Sequence, residues 1–267
     1  MDLAAVQTMR VARSRADLAL APGETYLAGG TWLYSERQPD VTGLVDLSGL
    51  GWDELELTSE GDLRIGSMTT IATLEAWGTS SPAPAAALFE QCAQSLLASF
   101  KVRTAASVGG NIAKGFAAGA MIALGATLDA TAVVWKPDGT DLRVPVTALP
   151  TGNGTTCLGD GEVLRQVEIP AYALAARTAH RRIALAEHGR SGALLTGRRD
   201  EDGTSVLVIT AATSVPVVLR YEGVPSVATV RADALAAPGY YTDPLGSADW
   251  RRSVSATLLA EVAQELA

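Results

Sequence analysis

The chain is organised around one stretch in which a strand-like apolar run enters a pair of glycines, Tyr26-Leu27-Ala28-Gly29-Gly30-Thr31-Trp32-Leu33. Glycine allows the backbone to approach a ligand closely and to adopt positive φ angles that a side chain disfavours. Successive backbone amides in such a turn can form a concavity that holds an anion. Taken alone, the pair fits an ordinary tight turn as well.

A second glycine pair lies far along the chain, in Ser107-Val108-Gly109-Gly110-Asn111-Ile112. Two such turns, each beside a serine or threonine, are what a pyrophosphate held from both sides requires. A branched residue at Gly110 would then fill phosphate space and oppose the positive φ expected there. Neither turn fits the Rossmann or the Walker pattern, so those nucleotide sites are not indicated.

The bulk composition indicates one large globular domain or two modest ones. The chain has 267 residues, 48% of them hydrophobic, and a formal net charge of -8. A chain this acidic lacks the basic surface expected of a nucleic-acid-binding protein, and its charge gives no reason to expect attraction to anionic lipid. Residues 1–6 lack the basic start of a signal peptide, and no apolar run approaches the ~20 residues that span a membrane. We therefore expect a cytoplasmic protein that binds neither nucleic acid nor membrane.

The residue types that carry metal and nucleophile chemistry are sparse. Cys92 and Cys157 are the two cysteines, too few for an iron–sulfur cluster, and Cys92 lies in an apolar helical pattern that predicts core packing. The two histidines, His180 and His188, have no carboxylate or cysteine at metal-ligand spacing, so a zinc site is not indicated. Ser191 lacks the glycine spacing of a nucleophile elbow. We expect no catalytic side chain and no metal ligand.

Periodicity predicts the helices and strands. The predicted helices span residues 11–20, 71–77, 85–100, 121–128 and 249–267, the last with Asp249 as a possible N-cap. Up to Pro170 the predicted strands span 43–47, 55–57, 63–66, 130–135 and 161–170. Beyond it they span 177–185, 191–196, 205–212 and 217–221, with Arg198 and Arg199 at a solvated hairpin end. Antiparallel strands before a terminal helix indicate a small α+β domain.

The two glycine turns together resemble the pyrophosphate loops of the FAD-binding medium subunits of molybdenum hydroxylases, the xanthine dehydrogenase and carbon monoxide dehydrogenase flavoprotein family. The family's first loop reads L-A-G-G-T-D-L, and residues 27–33 match it with Trp32 at the acidic position. The second reads V-R-N-x-A-T-I-G-G-N, matched by residues 102–111. The resemblance implies an α+β fold: a two-subdomain FAD-binding domain of the vanillyl-alcohol-oxidase-like (PCMH) type in residues 1–170, then a carbon monoxide dehydrogenase flavoprotein-like domain in 171–267 with an antiparallel sheet.

The resemblance also implies the flavin contacts, position by position. One pyrophosphate wall would be Leu27, Ala28, Gly29, Gly30, Thr31, Trp32 and Leu33, and the opposite wall Ser107, Val108, Gly109, Gly110 and Asn111. Leu97, Leu164 and Arg181 fall at positions that border the flavin, although both leucines also suit an apolar core. Ala120 departs from the family, which has an aspartate there in an S-P-x-x-D motif. This departure affects the ring environment and the choice of electron acceptor.

The function implied by the resemblance is electron transfer through non-covalent FAD. Molybdopterin would lie on a large partner subunit and a [2Fe–2S] cluster on a small one, in a dimer of heterotrimers that passes electrons to NAD, oxygen or another carrier. Two alternatives remain open. One is a degenerate flavin-binding or assembly subunit, which Ala120 makes conceivable. The other is a stand-alone FAD oxidase of the vanillyl-alcohol type, which usually has a longer substrate domain and often a histidine-linked flavin.

Overall fold

The strand that leads into the first glycine pair belongs to a small parallel sheet. The structure, a computed structural model, describes residues 3–187 and 189–267, so the prediction about His188 lies outside the described residues. The sheet has the order β1–β3–β2, with the bounds β1 (Thr8–Val11), β2 (Glu24–Leu27) and β3 (Gly43–Asp46). The predicted helix over residues 11–20 is wrong. Pairing with β3 extends the chain up to Val11, and a single 3-10 turn follows at Arg15–Leu18.

A five-stranded antiparallel sheet forms the second layer, in the order β4–β5–β10–β6–β7. Its strands are β4 (Leu55–Leu57), β5 (Leu63–Gly66), β6 (Thr131–Trp135), β7 (Asp141–Pro145) and β10 (Val163–Ile169). The predicted hairpin is confirmed, because Leu55 pairs with Ile65 and Leu57 with Leu63. A two-stranded hairpin, β8 (Pro150–Gly152) and β9 (Thr155–Thr156), lies between β7 and β10 in the chain.

The α-helices that accompany these two sheets are α1 (Ile71–Ser80), α2 (Ala86–Gln94), α3 (Phe100–Arg103), α4 (Val108–Lys114), α5 (Ala120–Thr127) and α6 (Ala171–Leu174). The prediction of one helix over 85–100 is wrong, because α2 ends at Gln94 and Ser99 caps the separate helix α3. Cys92 is fully buried, which confirms its prediction as core. Phe100, in contrast, is 69% exposed and Leu97 is 65% exposed.

A four-stranded antiparallel sheet follows, as the alternating pattern predicts. Its strands are β11 (Arg177–Ile183), β12 (Ala193–Arg199), β13 (Thr204–Thr210) and β14 (Val217–Glu222), paired in sequence order. Helices α7 (Val227–Ala236) and α8 (Ala248–Glu265) complete the chain, and α7 was not predicted. Leu207 and Ile209 share a core with Leu259 of α8. The predicted N-cap of α8 is wrong, since Ser247 rather than Asp249 accepts the amide of Trp250.

The expectation of a solvated Arg198 is also wrong, because this side chain is 1% exposed. Its guanidinium donates to the Thr127 carbonyl and pairs with Asp129 and Asp200. Burial opposes ionisation of Asp129, but hydrogen bonds from Arg198 and Arg220 outweigh it and lower the pKa of Asp129 to about 2. These ion pairs tie the end of α5 to the C-terminal sheet.

Candidate functional site

Both glycine turns line one cleft of about 480 Å³ between the first two sheets. From the first turn the lining residues are Ala28, Gly29, Gly30, Thr31, Trp32 and Leu33. From the second they are Ser107, Gly109, Gly110 and Asn111. Two of the remaining predicted residues, Leu27 and Val108, are 6% and 2% exposed and belong to the adjoining core. The structure therefore brings together two stretches that are distant in sequence.

The first turn is built for close backbone approach. A Cβ on Gly29 would lie 1.8 Å from the carbonyl oxygen of Ala105, so a side chain there would separate the two walls. Gly30 has a φ of +67°, the left-handed conformation that favours glycine. Among the described residues, no hydrogen-bond acceptor is recorded for the amides of residues 29–33. A run of free donors on a concave turn suits an anion.

The second turn opens helix α4. The Ser107 hydroxyl accepts the amide of Gly110, and the amide of Gly109 donates to the Ser67 carbonyl. The positive φ expected at Gly110 is wrong, because this residue lies in the helix and φ is not positive. Glycine at this position instead leaves open the space that a side chain would occupy. A Cβ there would meet only the Ser107 hydroxyl, at 2.9 Å, and the Ala28 methyl, at 3.8 Å.

Asn111 and Ala120 connect the second turn to helix α5. The Asn111 side-chain oxygen accepts the amide of Met121, at 3.1 Å. Ala120 is 1% exposed, begins α5 and does not line the cleft. The position at which the resembled family carries an aspartate therefore presents no polar atom to the cleft.

Of the three predicted ring-bordering residues, two line the cleft. Leu97 does so from the segment between α2 and α3, and Leu164 from the central strand β10. Arg181 does not line it, and its guanidinium pairs with Glu261 and Glu265 on α8. The cleft thus combines a turn whose amides have no acceptor among the described residues with apolar walls.

Sequence reasoning missed Lys114 and Phe116, a cationic and an aromatic side chain that line this cleft together with the predicted Trp32. The Lys114 ammonium lies 3.6 Å from the centre of the Trp32 ring and 5.1 Å from that of Phe116. Arg190, from the β11–β12 connection, lies 5.0 Å from the Phe116 ring. Burial lowers the pKa of Lys114. A usable signal was the four-residue spacing of Gly110 and Lys114, which places both on one helix face.

Other chemically active side chains do not form a competing site. Within residues 3–187 and 189–267, no group of histidine, cysteine and carboxylate side chains has the geometry of a metal site. The His180 ring nitrogen bonds the Ser95 hydroxyl at 2.9 Å, and burial with neighbouring Arg181 lowers the pKa of His180 to about 4. Over the same ranges, no helix combines the length and apolarity needed to traverse a bilayer.

The fold and this cleft define a flavin-dinucleotide-binding protein. Residues 6–172 match the family described as the FAD binding domain in molybdopterin dehydrogenase, and the chain belongs to that family. The resemblance seen in the two glycine turns, the α+β fold and the FAD cofactor are thereby confirmed.

Known proteins are similar to this chain over a short stretch of sequence or in fold. A stretch of 58 residues is 40% identical to the aldehyde oxidoreductase FAD-binding subunit PaoB of Escherichia coli K12 and covers 21% of this chain and 18% of that subunit. The fold matches a chain of Cu,Mo-CO dehydrogenase with a TM-score of 0.85, at 20% identity over 98% of both chains. A chain of quinoline 2-oxidoreductase from Pseudomonas putida 86 matches with a TM-score of 0.82, at 22% identity over 100% of this chain and 98% of its own.

Proposed function

We propose that this chain is the FAD-containing electron-transfer subunit of a multisubunit molybdenum hydroxylase. The observation that carries the proposal is the convergence of two glycine turns and two apolar side chains, Leu97 and Leu164, on one cleft. Bound FAD would accept electrons singly from a [2Fe–2S] partner and deliver them as a pair to NAD, oxygen or another acceptor. No side chain of this chain takes part in the bond changes.

The proposed FAD contacts divide by chemistry. The amides of residues 29–33 have no acceptor among the described residues, and this turn and Gly110 line the same cleft, so the pyrophosphate would lie between these two walls. The leucines Leu97 and Leu164 supply apolar area for the ring system. Arg181 is left out because it is paired on α8, and Ala120 because it is buried outside the cleft. We propose non-covalent binding, since none of Cys92, Cys157 and His180 lines the cleft.

The remaining redox groups are proposed to lie on partner chains. Within residues 3–187 and 189–267, no three histidine, cysteine or carboxylate side chains have the geometry of a metal site, so the four ligands of a [2Fe–2S] cluster are not assembled here. A molybdopterin-binding large subunit and a cluster-bearing small subunit would therefore complete the enzyme, as a cytoplasmic dimer of heterotrimers. We also propose a domain boundary at residue 170, supported by the new antiparallel sheet that begins at Arg177.

An exposed apolar patch supports a docking surface for the cluster-bearing subunit. Leu97, Phe100 and Val102 are 65%, 69% and 37% exposed, and both Leu97 and Val102 also line the cleft. Contiguous apolar side chains on a surface commonly mark an interface. A donor seated there would lie beside the flavin, as electron transfer requires.

The proposed function is tested by anaerobic stopped-flow reduction of the flavin, with and without partners. The lone chain should bind FAD, and its flavin should stay oxidised when the substrate is added. In the complex co-expressed with the large and small subunits, substrate should bleach the flavin. Acid precipitation should release FAD into the supernatant. Reduction of the lone chain by a small organic substrate at a catalytic rate would favour a stand-alone oxidase instead.

A second candidate is a degenerate flavin-binding or assembly subunit, favoured by the buried Ala120 where the family has an aspartate. In the same experiment, a complex whose flavin remained oxidised after substrate addition would support this second candidate. Transient bleaching within the complex would exclude it.

Phe100→Asp should abolish association with the partner subunits while leaving FAD bound. The substitution places a charge in the apolar patch, where desolvation on docking would cost several kcal/mol. Leu57→Asp is the control, because Leu57 is 57% exposed but does not line the cleft. Co-purification and flavin content measure both effects. Equal retention of partners by the two variants would exclude this patch as the interface.

A further inference from the structure

The further inference concerns Lys114, whose position on α4 is set by Gly110. The two residues are four apart in one helix, so their side-chain positions lie on the same face, and both line the cleft. The absence of a side chain at Gly110 leaves space over that face. The Lys114 side chain therefore borders the space that lies against the first turn.

The ammonium group of Lys114 is held by aromatic rings rather than by a carboxylate. It lies 3.6 Å from the Trp32 ring centre and 5.1 Å from that of Phe116, positions that stabilise a cation through the ring quadrupoles. The carboxylate that acts on Lys114 through space is Glu36, and no salt bridge joins Lys114 to any described residue. The positive charge remains available to a ligand.

The opposite wall completes the arrangement. Trp32 itself belongs to the run of residues 29–33, whose amides have no acceptor among the described residues. The aromatic ring that holds the ammonium therefore belongs to the same turn as the free donors. An anion in this space would meet amides from one side and a full positive charge from the other.

We propose that Lys114, oriented by Trp32 and Phe116, binds the pyrophosphate of FAD from the α4 side of the cleft. This inference rests on the proposed function, since it assigns a residue of the same FAD site. A cation at this point compensates one of the two phosphate charges in a chain whose formal net charge is -8. The amides fix the position of the phosphates, and Lys114 supplies the charge.

The test is fluorescence titration of the FAD-free full-length chain with FAD, comparing Lys114→Met with Lys101→Met. Lys101 lies on α3 and does not line the cleft, so its substitution removes the same charge elsewhere. Loss of one charge-assisted hydrogen bond should weaken FAD binding about tenfold or more in Lys114→Met. Lys101→Met should stay within about twofold. Lys114→Arg, which keeps the charge, should retain most of the affinity, and circular dichroism verifies the folding of each variant.

Competition by ADP distinguishes a contact to pyrophosphate from a contact to the flavin ring. ADP carries a pyrophosphate but no flavin ring. Lys114→Met should therefore lower the affinities for ADP and for FAD by the same factor. Weakening of FAD alone would overturn the inference and place Lys114 at the ring. Unchanged FAD affinity in Lys114→Met also overturns it while the proposed function stands, whereas failure of the unsubstituted chain to bind FAD would remove both.

Discussion

Gly110→Val should weaken FAD binding by about 100-fold or more, the effect of losing two hydrogen bonds to a charged group. A Cβ at this position would lie 2.9 Å from the Ser107 hydroxyl and 3.8 Å from the Ala28 methyl. The branched side chain would then fill the space between the two turns. Because φ is not positive at Gly110, valine meets no backbone strain there; the added Cβ displaces the capping Ser107 hydroxyl, and circular dichroism verifies that the fold is retained.

The measurement is a flavin fluorescence titration with a matched glycine variant. Gly159→Val is the control, because its nearest neighbour would be Glu162 at 3.5 Å, φ is not positive there, and the residue does not line the cleft. The control should bind FAD within about twofold of the unsubstituted chain, as expected for a surface substitution. Wild-type affinity in Gly110→Val would show that this turn does not face the cofactor.

Local signals in the sequence were sufficient for most strands and for the glycine turns. The alternation in residues 55–66 and the strand ending at Pro170 predict β4, β5 and β10, because each has a turn or a proline at its boundary. Both turns could be located because glycine pairs beside a hydroxyl residue are recognisable without tertiary information. Their juxtaposition in space, however, followed from the family resemblance and was not deducible from composition.

Two of the failures, at residues 8–11 and at Arg198, have nonlocal causes. Residues 8–11 form a strand because β3 pairs with them, and no pattern in this short segment announces that pairing. Arg198 is buried because Asp129, distant in sequence, supplies a partner. The early end of α2 could have been predicted from the sequence, since Ser99 caps a new helix within the apolar repeat. Helix α7 could also have been predicted, because Ser226 follows Pro225 and caps an alanine-rich run.

Other nonlocal contacts, through Ala211, connect the C-terminal sheet to the cleft. Ala211, at the end of β13, has a φ of +62°, and its amide donates to the Ala117 carbonyl at 2.8 Å. Ala117 directly follows Phe116, one of the two rings that hold Lys114. The Ala211 carbonyl in turn accepts hydrogen bonds from Tyr241 and from Arg251 on α8. Hydrogen bonds through Ala211 therefore connect the residue after Phe116 to a buried cation in the C-terminal helix.

Arg251→Met should lower the free energy of unfolding by about 3–5 kcal/mol, the cost of removing one partner from a buried ion pair. Arg251 is fully buried and pairs with Asp243, while its guanidinium also donates to the carbonyls of Gly192 and Ala211. Methionine fills much of the volume but leaves the buried Gly192 oxygen without this donor. Urea unfolding followed by circular dichroism measures the loss.

Arg252→Met is the matched control, because it removes the adjacent charge on the same helix. Arg252 is partly exposed, donates to the Leu235 carbonyl and lies 4.9 Å from the Tyr240 ring. Its loss should cost about 1 kcal/mol or less, as for exposed cation–π contacts. Equal destabilisation by the two variants would contradict the role assigned to Arg251. A large loss confined to Arg251→Met, together with weaker FAD binding, would show that the C-terminal sheet holds the edge of the cleft through Ala211.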